Sequence, residues 1–487
     1  MADFDLSIPM PVDGLEDTHP DYDASLESTQ LCRDVIAGAD AMRAAGEKYV
    51  PALAGEKPAE YVARLKIATP VDIADRTLDA YAGALLQKPP ALTLPKQIEA
   101  HLDNIDLAGT PYPALRQMIV SERLEVGRVG VMVDWSAEQK RPFVRLFEHE
   151  QIRNWQYRII DGQRLLTQLV LAEQIAVPGR SGFGSAVCEQ YRVLELNEAG
   201  ILVVRVYRRD VDSSAAPGAR AGTKRFIETT ITPTVMGKPW REIPFVGIPD
   251  ITPPKAPLLG NCRLGLDFWK LAIDQRHALH VGAAGALVVI GDGEPETPKD
   301  FMLGCTRGNR LAAGADAKFI GFECGVLGEI AAEKTALVSQ MALLGSRALL
   351  APKRAAETAE AMAIGRESEN ASLSTISYGL SLGLTRMWRF YARWMGLDPR
   401  EVSEELNRDF VSHKLTPDEV RAQMEAVQAG YMSEDTFIEN LYAGEVSRDL
   451  ATERERLSVQ GPHANPGDGA ELADDDEETE TETAADD

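Results

Sequence analysis

No stretch of this sequence is apolar for long enough to span a bilayer. The longest apolar run, residues 280–290, covers about 11 residues and contains two glycines, whereas a membrane helix needs about 20. The N-terminus reads Met-Ala-Asp-Phe-Asp-Leu and has neither the basic nor the apolar segment of a secretory signal. We therefore predict no membrane association and a location in the cytoplasm of the producing cell.

Cysteine is scarce and widely spaced. No two cysteines form a Cys-x-x-Cys pair, so neither a zinc ribbon nor a redox dithiol is indicated. An odd number in a long chain without a secretory signal favours reduced thiols. The five residues are Cys32, Cys188, Cys262, Cys305 and Cys324.

Basic residues are too few to balance the acidic ones. The chain has 51 Lys and Arg against 75 Asp and Glu, a net charge of −24. Eleven of the carboxylates lie in 464–487, which contains no basic residue, and removing those eleven charges from −24 leaves −13. Proteins that hold nucleic acid firmly do so by neutralising many phosphates. We therefore expect any contact with DNA to be weak or confined to a few residues.

The motifs of nucleotide and zinc-hydrolase chemistry are also missing. The sequence contains no phosphate-binding GxxxxGKS or GxxxxGKT loop, no HExxH helix and no serine nucleophile elbow. No cofactor or metal is predicted, and ATP-driven work would belong to a partner. One enzymatic interpretation stays open, in which Asp134, Glu148 and His149 line a cleft in the β region. Substitutions that abolish an activity without abolishing assembly would support it.

The first half of the chain changes from helical to strand-like spacing. Thr69 to Asp72 give a helix start signal, and Lys88-Pro89-Pro90 stop that helix. A second helix is predicted over 113–126, before two glycines. From Val131 onward, apolar runs separated by turn residues predict an antiparallel sheet. Its strands are predicted at 131–135, 143–147, 165–171, 188–196, 201–208 and 240–248.

The second half is mainly helical. Helices are predicted over 263–282 and 328–350, with a strand at 287–290 between them and Pro352 after them. Residues 357–395 then contain no proline and repeat apolar residues at intervals of three and four, which predicts one helix of about 58 Å. Such a helix is far longer than the ordinary globular one of about 11 to 12 residues. It indicates a scaffold strut or an assembly surface.

Six phrases, in this order, resemble the portal proteins of tailed bacteriophages. More closely, they resemble a portal-like group catalogued as a domain of unknown function (DUF4055-like). The likeness spans roughly residues 20 to 455. The phrases are TLDAYAG with QKPP at 77–90, WREIPFV at 240–246, DQRHALH at 274–280, LGSR at 344–347, ETAEA at 357–361 and GYMSEDTF at 430–437.

The resemblance implies an α+β portal-protein fold: a wing of helices and antiparallel strands, two stem helices, a small α/β clip, a long spine helix and a helical crown. Trp269, Leu337 and Met341 are expected to pack the stem, and Lys353 and Arg354 to face DNA in the tunnel loop. The implied boundaries are 1–20 for a flexible arm, 21–262 for the wing, 263–285 and 328–350 for the stem helices, 286–327 for the clip, 351–356 for the tunnel loop, 357–396 for the spine, 397–460 for the crown and 461–487 for a disordered acidic tail.

The resemblance also implies a role and partners. A portal is a closed ring, here expected to have twelve copies, at one capsid vertex of the virion, through which DNA is packaged and ejected. Its expected partners are its own copies, the terminase large subunit, the major capsid and scaffolding proteins, the head–tail connector and double-stranded DNA. A head adaptor or scaffolding protein remains the alternative, since it would use the long helix and the acidic tail without closing into a ring.

Overall fold

The computed structural model describes residues 13–70, 72–160, 162–178, 185–209, 226–284, 286–290, 316–320, 325–344, 359–408, 410 and 417–443. The chain divides into two units, Met1–Phe410 and Val411–Asp487. None of the described helices is both long and apolar enough to cross a membrane. Among the described cysteines, Cys32, Cys188 and Cys262 are free and buried.

The α-helices of the first unit lie before and after its two larger sheets along the chain. Short 3-10 turns lie at Gly46–Lys48, Leu102–Asn104 and His149–Gln151. The α-helices of this unit that the structure describes are α1 (Pro20–Ala37), α2 (Ala39–Ala45), α3 (Pro58–Lys66), α4 (Ile73–Leu86), α5 (Lys96–Glu99), α6 (Tyr112–Val126), α7 (Leu259–Ala284), α8 (Gly325–Leu344) and α9 (Ala359–Trp394).

The strands pair antiparallel throughout the described sheets, which confirms the predicted α+β class. They are β1 (Ala91–Thr93), β2 (Val129–Ser136), β3 (Arg141–Phe147), β4 (Ile152–Ile160), β5 (Gln163–Pro178), β6 (Ser185–Leu196), β7 (Leu202–Arg209), β8 (Phe226–Ile231), β9 (Thr234–Val235), β10 (Lys238–Pro239), β11 (Phe245–Ile248), β12 (Ala286–Ile290), β13 (Asp316–Ile320) and β14 (Ser403–Glu405). The larger sheets have the orders β4-β5-β6-β7-β8 and β11-β2-β3, and three two-stranded pairs join β1 to β14, β9 to β10 and β12 to β13.

Helix α6 follows its sequence signals closely. Its buried residues include Leu115, Ile119 and Leu124. The helix ends at Gly127, whose φ of 91° is left-handed, as helix C-caps favour. A Cβ there would also lie 3.0 Å from the carbonyl oxygen of Pro254. The predicted helix over 113–126 is therefore confirmed to within one residue.

The core of the first unit lies where α9 packs on the three-stranded sheet. Strand β2 is buried along Val129 to Val133, without the alternation of a sheet that has one wet face. On the helix side, Leu380, Leu384 and Met387 are fully buried. Gly383 permits the close approach, because a Cβ there would lie 2.5 Å from the side chain of Ile248.

Several sequence-based assignments differ from the structure. The predicted strand 240–248 is ordered as a strand only over Phe245–Ile248, and the side chain of Trp240 instead stacks on Trp394 with ring centroids 4.5 Å apart. Strand β4 was not predicted, because two register shifts interrupt its alternation. Helix α4 begins at Ile73, since Asp72 has non-helical torsions.

The second unit contains α10 (Pro417–Gln428) and α11 (Glu434–Ala443) among its described residues. The Ser433 hydroxyl oxygen accepts a hydrogen bond from the Thr436 amide at 3.2 Å, as an N-cap does. The two units meet at Val411, and Ser403–Glu405 belong to the first unit, where they form β14 and pair with β1.

Candidate functional site: a helical hairpin and the long helix that follows it

Helices α7 and α8 form an antiparallel pair. Leu344, at the end of α8, lies 3.2 Å from the Cβ position of Gly260, at the start of α7. Further along, Lys334 Nζ donates to Gln275 Oε1 at 3.0 Å and lies 4.8 Å from the ring centroid of Phe268. At about 1.5 Å per residue, α7 is about 39 Å long and α8 about 30 Å.

A β-hairpin lies between the two helices along the chain. Strand β12 begins two residues after α7, and β13 ends five residues before α8. The strands pair from Ala286 with Ile320 to Ile290 with Asp316. The strand predicted at 287–290 is therefore confirmed. Together, α7, β12, β13 and α8 form a helix–hairpin–helix unit.

The three residues predicted to pack the stem are all buried within one chain. Trp269 on α7 is fully buried, and its Nε1 donates to the Ala68 carbonyl oxygen at 3.3 Å. Leu337 and Met341 lie one helical turn apart on α8 and are 7% and 0% exposed. Trp269 thus joins α7 to the segment between α3 and α4, and an alanine there would leave a large cavity.

Helix α9 is tied to the sheets by a buried carboxylate. Glu404 on β14 is fully buried and accepts hydrogen bonds from Trp388 Nε1 at 2.7 Å, from Arg116 at 3.2 Å and from the Tyr112 hydroxyl. Burial raises the pKa of Glu404, while these three donors oppose the rise. One carboxylate therefore links α6, α9 and β14.

Aromatic rings hold the C-terminal end of α9. Trp394 is stacked between Trp240 and Trp135, with centroids 4.5 Å and 6.2 Å away, and its Nε1 donates to the Val133 carbonyl oxygen at 3.0 Å. One turn earlier, the Tyr391 hydroxyl donates to the Pro142 carbonyl oxygen at 3.0 Å. Through these bonds, the last two turns of α9 are fixed to β2 and β3.

The residues of the enzymatic interpretation do not form a site. Asp134 on β2 pairs with Phe143 on β3, whereas Gly130 pairs with Phe147 at the end of β3. Glu148 and His149 follow Phe147. Asp134 therefore lies four residues along the strand from that end, a distance of roughly 13 Å. Asp134 forms an ion pair with Arg192 at 3.1 Å, and Glu148 caps the 3-10 turn that follows it.

His149 is a buried structural residue. Burial, reinforced by Arg128, lowers the pKa of His149 to about 3, so the ring is neutral at pH 7. Its Nε2 lies 3.0 Å from the Ser25 hydroxyl, but that hydroxyl also donates to the Tyr22 carbonyl oxygen at 2.7 Å. The serine proton is therefore directed at the backbone rather than at the histidine, and no activated nucleophile results.

An ion cluster at the base of α1 was missed by the sequence analysis. Arg33 lies 2.7 Å from Glu122, 3.1 Å from Glu125 and 2.9 Å from Glu150. The burial of Glu122 raises its pKa, and the Arg33 guanidinium acts against that rise. These residues are about a hundred positions apart in sequence, and no local pattern indicates that they meet. The cluster joins α1 to α6 and the 3-10 turn.

Lys353 and Arg354, predicted to face DNA, lie outside the described residues, as do the whole of 351–356 and the acidic segment 464–487. Within the described part of the chain, no group of three His, Cys, Asp or Glu side chains could hold a metal ion. The candidate site is therefore defined by α7, the hairpin, α8 and α9.

The family described as a domain of unknown function (DUF4055) matches residues 257–395. This range begins two residues before α7 and ends one residue after α9, so the match covers the candidate site and leaves the large sheets outside it. No curated protein matches the chain.

Several solved structures that this chain is similar to come from gene transfer agent (GTA) particles. A chain of "Neck of empty GTA particle computed with C6 symmetry" is 15% identical, with a TM-score of 0.39, over 80% of this chain and 95% of that one. A chain of "Virion of native gene transfer agent (GTA) particle" is 14% identical, with a TM-score of 0.37, over 84% and 99%. A chain of "Neck of native GTA particle computed with C12 symmetry" is 14% identical, with a TM-score of 0.35, over 76% and 89%. Function does not follow from likeness at this level.

Proposed function

We propose that this protein is a subunit of a bacteriophage portal, a closed ring at one capsid vertex through which DNA enters and leaves the head. The observation that carries the proposal is the order of elements in the candidate site. Two antiparallel helices enclose a hairpin and are followed, after residues 345–358, by a 36-residue helix. The portal resemblance implies this order as stem, clip, stem, tunnel loop and spine.

The physical properties of these elements suit a conduit. Helix α9, about 54 Å long, is fixed to the sheets at its C-terminal end by Glu404 and by the stacked tryptophans. It can therefore serve as a rigid strut in each copy. The exposed face of α8 carries Glu329 and Glu333, and acidic side chains on a channel wall would leave the duplex free to slide because they repel its phosphates.

In this proposal Lys353 and Arg354 supply the few basic contacts with DNA, on the segment between α8 and α9. The ring would dock the terminase large subunit, which supplies the ATP-driven work, and the head–tail connector. It would contact the major capsid and scaffolding proteins at the vertex of the virion. The protein itself would have no enzymatic activity, no cofactor and no membrane partner.

Native mass spectrometry of the purified chain tests the proposal through the size of the assembly. In a cyclic ring each copy presents one face to a different face of its neighbour, and closure fixes the copy number. Twelve copies of the 53.2 kDa chain give one species of about 640 kDa. Monomers or dimers at every concentration would instead favour a head adaptor or scaffolding protein, and a ladder of open oligomers would also contradict the ring.

A further inference from the structure

The solvent-exposed face of α9 is basic, in a protein that is strongly acidic. Arg386, Arg389 and Arg393 are exposed at positions i, i+3 and i+7, and so lie on one side of the helix. Arg393 forms an ion pair with Glu242. Arg386 and Arg389 form no ion pair with any described residue. We call these three residues the arginine stripe.

The arginine stripe continues into exposed apolar residues at its N-terminal side. Leu382 and Tyr378, one and two turns before Arg386 on the same face, are each 49% exposed. The Arg408 guanidinium lies 4.8 Å from the Tyr378 ring centroid. Tyrosine and arginine are enriched in protein–protein interfaces, in which exposed apolar groups become buried. The composition of this face is that of a contact surface.

The surface next to Arg386 supplies no ion-pair partner for it among the described residues. Gly379 and Gly383 pack against Pro249 and Ile248, which brings this part of α9 beside Asp250. That carboxylate accepts a hydrogen bond from the Tyr157 hydroxyl at 3.2 Å and lies 3.7 Å from Arg164. Asp250 is therefore already paired, and Arg386 has no ion-pair partner among the described residues.

Helix α4 shows the opposite pattern. Asp72 at the N-cap, with Asp75 and Asp79 on the helix, recur at i, i+3 and i+7, and among the described residues none of them has an ion-pair partner. Burial raises the pKa of Asp75, and its neighbours Asp79 and Asp72 raise it further. Arg76 is exposed on the same helix, which leaves this face with a net charge of −2. We call the three carboxylates the aspartate stripe.

We infer that the arginine stripe of one copy contacts the aspartate stripe of the next copy in the ring. The inference rests on the proposed portal ring. A ring requires two different, complementary faces on each chain, and the two stripes match in charge, in number and in spacing along their helices. Within one chain no ion pair joins them among the described residues, so each stripe is available to a second copy. Charge pairing of this kind would also set the register between neighbours.

Charge exchange tests the contact. Arg386→Glu with Arg389→Glu places acid against acid, and Asp72→Lys with Asp79→Lys places base against base. Each double variant should raise the protein concentration at half assembly by at least about tenfold, because like charges then face each other across the contact. The chain that carries all four substitutions restores opposite charges and should assemble within about threefold of the unchanged protein.

The matched control is Lys96→Glu with Lys140→Glu, which changes the charge equally at exposed positions elsewhere in the same unit and should assemble normally. Circular dichroism verifies that each variant is folded. Normal assembly of either double variant, or failure of the four-substitution chain to recover, overturns this contact while the portal proposal stands. If the unchanged chain never forms rings, the proposed function fails, and the contact fails with it.

Discussion

Replacing Glu404 with alanine is expected to lower the free energy of unfolding by about 3–5 kcal/mol, because breaking a buried ion pair strands its partners without water. Arg116, the Tyr112 hydroxyl and the Trp388 indole would each lose their acceptor. Urea unfolding followed by tryptophan fluorescence measures the change, since Trp388 lies directly on the carboxylate.

The neighbouring residue Glu405 provides the control for Glu404. It lies on the same strand but is exposed, so alanine there should change stability by no more than about 0.5 kcal/mol. Glu404→Gln keeps an acceptor oxygen but loses the charge, so its loss of unfolding free energy should lie between those of Glu404→Ala and Glu405→Ala. If alanine at Glu404 and at Glu405 lowered the free energy of unfolding by equal and small amounts, the Glu404 carboxylate would not anchor α9.

Trp269→Ala is expected to have a comparable effect, about 3–5 kcal/mol, because it empties a fully buried site between α7 and the segment that precedes α4. The loss of unfolding free energy should be present in the isolated chain, and it should be measured at protein concentrations too low for assembly. Its cause lies in the core of one subunit rather than in a contact between subunits.

Leu279→Ala separates the core role of Trp269 from a role of the helix surface. Leu279 lies on the same helix but is 49% exposed, so its truncation should cost less than about 1 kcal/mol. If Trp269→Ala abolished assembly but left the stability of the single chain unchanged, that result would contradict the assignment of Trp269 to the core. It would place this side chain between subunits instead.

The sequence predicted best those elements whose signals are local. Helix α6 has buried residues at helical spacing and a glycine that ends it, and its prediction was correct to one residue. Helix α9 was predicted over 357–395 and found over Ala359–Trp394, because no proline interrupts it. In both, the residues that determine the element lie inside it.

Elements and contacts that depend on distant residues could not be predicted. Strand β4 belongs to the sheet through its pairing with β5, while its bulges hide the alternation. Glu404 looks like any surface acid in sequence, and its burial depends on Tyr112 and Arg116, nearly three hundred residues away. Asp134 lies near Glu148 and His149 in sequence but is separated from them along the strand, which is the converse error.

The stem residues illustrate both outcomes. The resemblance implies that Trp269, Leu337 and Met341 pack the stem. Each is buried, and their place in a stem stays a prediction. The contact of Trp269 with Ala68 was not predictable, since nothing near residue 269 indicates which of the preceding helices α7 meets. The functional assignment of the helix pair came from the order of elements and the portal resemblance, and not from any single residue.

Negative-stain electron microscopy of the purified protein shows whether the chain closes into a ring. We expect end-on views of closed rings of about a dozen subunits, each with a central hole that admits a DNA duplex. Compact monomers without a hole, across a range of salt and protein concentration, would contradict it.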